Sequence, residues 1–261
     1  MMRHEKHKGE KTMVWGTFTL THIISLILGA GIIVGLYFIL KGRTLRTQMI
    51  ILGILSFSGI AAIIFNLVRW GTPLEYLPFH LCSLNAMILP VAVFTRNKRI
   101  CNLLMLWSIG ALAALALNTS VAAAEITSWV FVFYYFPHVL EFGIPILLFK
   151  LGLVKLDKKC IWSTVVITMG SYIIIHFINV IINNICVSKN ILDSAGNVIQ
   201  VNYMFSINHA ENPLLKIFYG IIPHSFWYMF LCIPVAVIYL VAIYGVYEIY
   251  LRISAKKKKM A

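Results

Sequence analysis

Seven apolar runs, each of about the length needed to cross a bilayer, leave this chain few folds to choose from. They fall at about residues 14–40, 48–68, 76–94, 100–117, 128–149, 161–182 and 222–250. A spanning helix needs about 20 mostly apolar residues, because hydrocarbon offers backbone groups no partner outside the segment itself. Only 12% of the 261 residues are charged and the mean hydropathy is +0.87. A soluble domain carries about 25% charged residues. The sequence therefore predicts an all-α polytopic transmembrane helical bundle of about seven spans, with one membrane domain at 14–250. A basic N-terminal segment, 1–13, and a basic tail, 251–261, flank it. The first run is too long for a signal-peptide core and lacks a convincing cleavage site, so it is expected to stay as the first helix. The longest connection, 187–221, contains an Asp-Ser-Ala-Gly-Asn stretch that reads as a turn between two short strands.

The net charge of +13 suggests nucleic acid until its distribution is considered. Lys41, Arg43, Arg46, Arg96, Lys98, Arg99, Lys150, Lys155, Lys158, Lys159, Arg252 and Lys256 to Lys259 all fall on one set of connections. The alternate set holds only Arg69, Lys189 and Lys216. Basic residues concentrate on the cytoplasmic side of membrane proteins, so this is a topology signal and no nucleic-acid partner is expected. Seven spans then place the N-terminus outside and the C-terminus in the cytoplasm, a multi-pass arrangement expected in the plasma membrane. The N-terminal "MMRHEKHKGEK" opposes that direction, with four basic residues against two acidic ones.

With this orientation the depth of each polar group can be counted at about 1.5 Å per residue. His80 and Cys82 lie in the outer half of the third span, and Asn85 lies near mid-depth. His138 is close to mid-depth in the fifth span, with Glu141 one turn further in. His176, Asn179 and Asn183 rise toward the outer surface on one face of the sixth. His22, Asn66, Arg69, Asn118 and His224 share that side. Intramembrane polar groups are costly and usually face a bundle interior or a wet cavity. Their bias to one leaflet predicts a single polar cavity opening outward, rather than a through-going pore.

Cys82 and His138 stand at nearly the same depth on different helices, as a nucleophile and its general base require. His80, two residues from Cys82, is on the wrong side of a regular helix to serve. Glu141, at i+3 from His138, is placed to hold the imidazole tautomer, as the acid of a triad does. The other four cysteines read as small core residues, and an odd count without a Cys-x-x-Cys pair argues against disulfides or a zinc ribbon. Two further readings use the same residues. The cavity holds a lipid headgroup without chemistry, or His22, His80, His138, His176 and Cys82 ligate a metal or haem. No ligand spacing matches a familiar metal site, and neither a metal nor a cofactor is expected.

Three stretches together resemble a known family. "LPFHLCSLN" (77–85), "FYYFPHVLEF" (133–142) and "NYMFSINHAENP" (202–213) are similar to the YwaF-like bacterial integral-membrane proteins, over about residues 48 to 250. That family is itself similar to the eukaryotic transmembrane protein 164, which moves fatty acyl chains between phospholipids and ether lysophospholipids. The resemblance implies an acyltransferase acting on membrane phospholipid or lysophospholipid. Its cysteine would be Cys82 and its histidine His138. His80, Asn85, Glu141, His176, Asn179, Asn183, Asn202 and Tyr203 would support the site. Two features depart from the family pattern. Pro137 and Val139 flank His138 where many members have a second histidine, and the Asn-Tyr-Met motif leads to Glu-Asn-Pro rather than Lys-Pro.

Overall fold

The computed structural model describes residues 13–260 except 71, 118–120, 194 and 211, with side chains as far as residue 253. Residues 1–12 of the basic N-terminal segment and Asn118 lie outside the described residues, as do the side chains of the tail lysines. The chain runs through α1 (Leu20–Leu40), α2 (Leu45–Ser56), α3 (Ser58–Arg69), α4 (Leu81–Thr95), α5 (Lys98–Leu117), α6 (Trp129–Lys150), α7 (Ile161–Lys189), α8 (Pro213–Ile221) and α9 (Cys232–Met260). Six segments among the described residues are long and apolar enough to cross a membrane: Leu20–Leu40, Leu45–Arg69, Lys98–Leu117, Trp129–Lys150, Lys158–Lys189 and Trp227–Ile253. The expected third span is different. It is realised as a short helical turn at Pro73–Tyr76, a bent non-helical stretch, and then α4, of only 15 residues.

The expected second span is a helix with a break. Phe57 ends α2 with its N–H shared between the carbonyls of Ile54 and Leu55, and Ser58 starts α3. The long connection holds a helix where the sequence reading expected none. Asn212 accepts from the N–H groups of Leu214 and Leu215, and Pro213 occupies the first turn. That cap and proline are a helix-start signature. The Asp-Ser-Ala-Gly-Asn stretch does turn, with Gly196 at φ +83°, but a single Leu192–Val198 bridge stands in place of two strands.

Helix directions follow from residue pairs. Gly53 lies against Phe94 and Gly59 against Ala86, so α2 and α3 run antiparallel to α4. Gly59 also lies against Glu141, and Phe65 stacks on Phe133 at 4.4 Å, so α3 is antiparallel to α6 as well. Thus α4 and α6 run parallel. α1 runs parallel to α6 too, with the Tyr135 hydroxyl donating to Ser25 O and Gly143 against Ile33. α5 is the most buried of the membrane-length helices; Leu104, Trp107, Ser108 and Ala111 are almost wholly enclosed. Large apolar side chains such as Ile27, Phe38, Trp162, Phe177, Ile238 and Val241 point outward, as lipid-facing helix surfaces do.

Polar ties fix both ends of the bundle. At one end, Trp15 is fully buried, its backbone N–H donates to Ala124 O, and its indole N–H donates to Ser25 Oγ at 2.8 Å. His22 accepts the Phe18 N–H at Nδ1 and bonds Leu115 O through Nε2, which ties α1 to α5. At the other end, Asn102 accepts from the Asp157 N–H and the Tyr244 hydroxyl while donating to Lys98 O. Lys98 and Asp157 form an ion pair at 2.5 Å beside this knot.

The hydrogen bond from the Lys98 ammonium, helped by the Lys159 backbone N–H, holds the Asp157 carboxyl below the usual aspartate range. A depressed carboxylate stabilises the fold above its unfolded-state value, and the contribution is lost as pH falls through the folded-state value. The difference in unfolding temperature between wild type and Asp157→Asn is therefore expected to shrink on acidification below about pH 4. A difference that stays constant through that range would show that the pair adds nothing.

Candidate functional site

The parallel run of α4 and α6 sets the register of the site. Asn85 Nδ2 donates to Glu141 O at 3.4 Å, which pairs positions 85 and 141. Stepping back three residues on each helix brings Cys82 level with His138. The Glu141 carboxyl is also near enough to the Cys82 thiol to interact with it electrostatically. Cys82 is half-buried, His138 is 9% exposed, and Asn85 and Glu141 are enclosed. Thiol, imidazole, amide and carboxyl thus share one layer, one turn deep, where α3, α4 and α6 meet.

The orientation of His138 comes from a source that sequence reasoning missed. Its Nδ1 lies 2.6 Å from Tyr134 O, one turn back on its own helix, and its ring packs on the Tyr134 ring at 4.3 Å. A carbonyl only accepts, so Nδ1 carries the hydrogen and Nε2 keeps its lone pair. Glu141, expected as the orienting acid, makes no hydrogen bond to His138. The signal was an ordinary i−4 backbone carbonyl, which no side-chain motif reveals. No hydrogen bond joins His138 to Cys82 in this structure, so the two share a level without touching as an ion pair.

The remaining expected residues serve the long connection. Asn183 donates to Val201 O at 3.0 Å and accepts the Val201 N–H at 2.7 Å. Asn179 repeats the arrangement with Tyr203, at 2.8 and 3.0 Å. Asn179 and Asn183, four apart on α7, thus dock two loop backbone positions that are two residues apart. His176 Nδ1 continues the row to Ser206 Oγ at 3.0 Å. His80 Nδ1 accepts the Met204 N–H at 3.4 Å, and the Tyr203 hydroxyl donates to Leu74 O. Asn202 faces away from α7 and closes the 202–208 turn by accepting the N–H groups of Ile207 and Asn208.

His80, His176, Asn179, Asn183, Asn202 and Tyr203 therefore staple the loop to α7 and to the start of α4, while Asn85 and Glu141 stand with the thiol–imidazole pair. Replacing Asn179 or Asn183 by leucine leaves a buried backbone N–H and carbonyl unpaired, at about 1–3 kcal/mol each. Amide hydrogen exchange at Val201 and Tyr203 is expected to accelerate by at least tenfold in these variants. Unchanged protection would mean that the loop holds itself.

No three His, Cys, Asp or Glu side chains come together among the described residues as a metal would require. The architecture is that of a polytopic helical membrane protein carrying a thiol and an imidazole at one level between parallel helices. The model of the TMEM164 family matches residues 15–244, and the chain belongs to that family. Neither a curated protein nor a solved structure matches the chain.

Proposed function

We propose that the protein transfers fatty acyl chains between membrane lipids through a thioester on Cys82, with His138 as the base, in the plasma membrane. The observation that carries this reading is the paired level of a half-buried cysteine and an imidazole whose tautomer is fixed with Nε2 basic. His138 Nε2 takes the Cys82 proton, and the thiolate attacks the carbonyl carbon of a phospholipid ester. The tetrahedral intermediate collapses to the acyl-thioester, and the departing glycerol alkoxide takes the proton from His138. A lysolipid hydroxyl, deprotonated by the same nitrogen, then attacks the thioester and returns the thiol. The substrate is a phospholipid or lysophospholipid, and no cofactor is needed, because each step is proton transfer and acyl exchange.

The seven-crossing topology belongs to the same reading, with the ends of α4 and α6 that carry Cys82 and His138 facing outward. The test is mass spectrometry of the purified protein incubated with phospholipid, with acceptor withheld. A fatty-acyl adduct on Cys82 is expected. Its absence would replace the enzyme with a lipid-binding, transport or sensing protein.

A further inference from the structure

Ser58 Oγ, Asn85 Oδ1 and Glu141 Oε2 are buried side-chain atoms without a hydrogen-bond partner. Their residues adjoin. Asn85 Nδ2 donates to Glu141 O, and a Cβ on Gly59, the residue after Ser58, would lie 2.8 Å from Glu141 Oε1 and 2.5 Å from Ala86 Cβ. All three residues belong to the layer that holds Cys82 and His138. A buried orphan polar atom costs about 1–3 kcal/mol, so a cluster of them beside a nucleophile calls for a role.

Ser58 differs from five other helical serines in this chain. Ser25, Ser56, Ser108, Ser163 and Ser188 each donate to the carbonyl three residues back. Ser58 does not, because the break at Phe57 lies immediately before it. Its hydroxyl remains a donor without an acceptor. Glu141 is 3% exposed and forms no ion pair with a Lys, Arg or His among the described residues. An ionised carboxylate buried without a cation is far costlier than the neutral acid. A neutral Glu141 also supplies a second donor beside the Ser58 hydroxyl, and neither hydrogen has an acceptor among the described residues.

We propose that Glu141 acts as a neutral carboxylic acid which, with Ser58, donates hydrogen bonds to the oxyanion formed when Cys82 attacks an acyl ester. This rests on the acyl-transfer reading above. As the sulfur–carbon bond forms, the carbonyl π pair moves onto oxygen, which Ser58 and Glu141 hold without giving up their protons. When the pair returns, the carbon–oxygen bond to glycerol breaks, and the leaving oxygen takes the proton held by His138. Ser58 and Glu141 start and end the cycle unchanged.

The test combines infrared difference spectra and adduct kinetics on full-length protein in phosphatidylcholine nanodiscs. The wild-type minus Glu141→Gln spectrum is expected to contain the carbonyl stretch of a protonated carboxyl. Ser58→Ala and Glu141→Leu are expected to slow Cys82 acylation at saturating lipid by about 10²–10³-fold. Glu141→Gln, which keeps a donor in a similar shape, should lose less than tenfold, and an unfolding temperature in detergent close to that of wild type is the control for folding of every variant. If wild type forms the adduct but shows no protonated-carboxyl band, this proposal fails and the thioester stands. A loss in Glu141→Gln as large as in Glu141→Leu also overturns it, since donation would then not be the role. If wild type forms no adduct, the acyl-transfer reading fails and takes this proposal with it.

Discussion

Substituting Cys82 by alanine is expected to lower acyl transfer by about 10⁴-fold or more, the scale on which removal of a covalent nucleophile acts. The acyl adduct should disappear with it. His138→Ala should lose adduct formation to a similar extent, because Nε2 is the nitrogen left basic by the Tyr134 carbonyl. His80, the nearest in sequence, has Nδ1 engaged by the Met204 N–H. If His138→Ala instead accumulates adduct, the histidine activates the acceptor and the thiol ionises without it. Cys82→Ser discriminates between classes of function. A serine in place of the nucleophile should be almost inactive, whereas a protein that only holds a headgroup would be nearly unaffected, and such a result would remove the thioester from the mechanism.

The second large effect is structural. Gly59 is where α3 approaches both α4 and α6, and any Cβ there meets Ala86 Cβ at 2.5 Å, Glu141 Oε1 at 2.8 Å and the Ala86 backbone at 3.3 Å. The Glu141 carboxyl can swing aside, but the Ala86 Cβ and its backbone cannot, so the helices themselves must separate. Gly59→Val is expected to destabilise by about 3 kcal/mol, the upper end of overpacking costs, and to displace Glu141. Thermal unfolding in detergent reads the first effect. Gly35→Ala, with nothing within 4 Å of the added carbon, is the matched control and should be nearly silent. Adding Ala86→Gly to Gly59→Ala should recover part of the loss, since the two carbons then no longer collide. Equal stability of Gly59→Val and wild type would mean that α3 does not pack as described.

Much of this arrangement was legible before any coordinates because helical rise is constant. Counting residues from the ends of apolar runs was enough to bring Cys82 level with His138, and the structure aligns the two through the Asn85–Glu141 contact. Hydropathy located α1, α5, α6 and α7 to within a few residues at most ends, since a spanning helix must satisfy its own backbone. What could not be read depends on contacts with no local signature. The docking of Asn179 and Asn183 onto Tyr203 and Val201 exists only once an irregular loop lies antiparallel to α7. The separation of site residues from loop staples therefore needed three dimensions. The break at Phe57 has no proline, and only the surrounding Ser-Phe-Ser-Gly hints at it. Helix α8 was legible after all, from Asn212 and Pro213, but the length of the connection drew attention to its turn instead.

The brevity of α4 bears on how a lipid reaches the thiol. Fifteen residues span about 22 Å, while the hydrocarbon core is about 30 Å thick. Cys82 is the second residue of that helix, and the bent non-helical segment before it is not a spanning structure. A bilayer meeting such a hydrophobic mismatch thins at the short element. In the proposed acyl transfer, that thinning would draw the headgroup boundary toward the N-terminal end of α4 and bring the ester bond of a surrounding lipid to the depth of Cys82 without lifting the lipid from its leaflet.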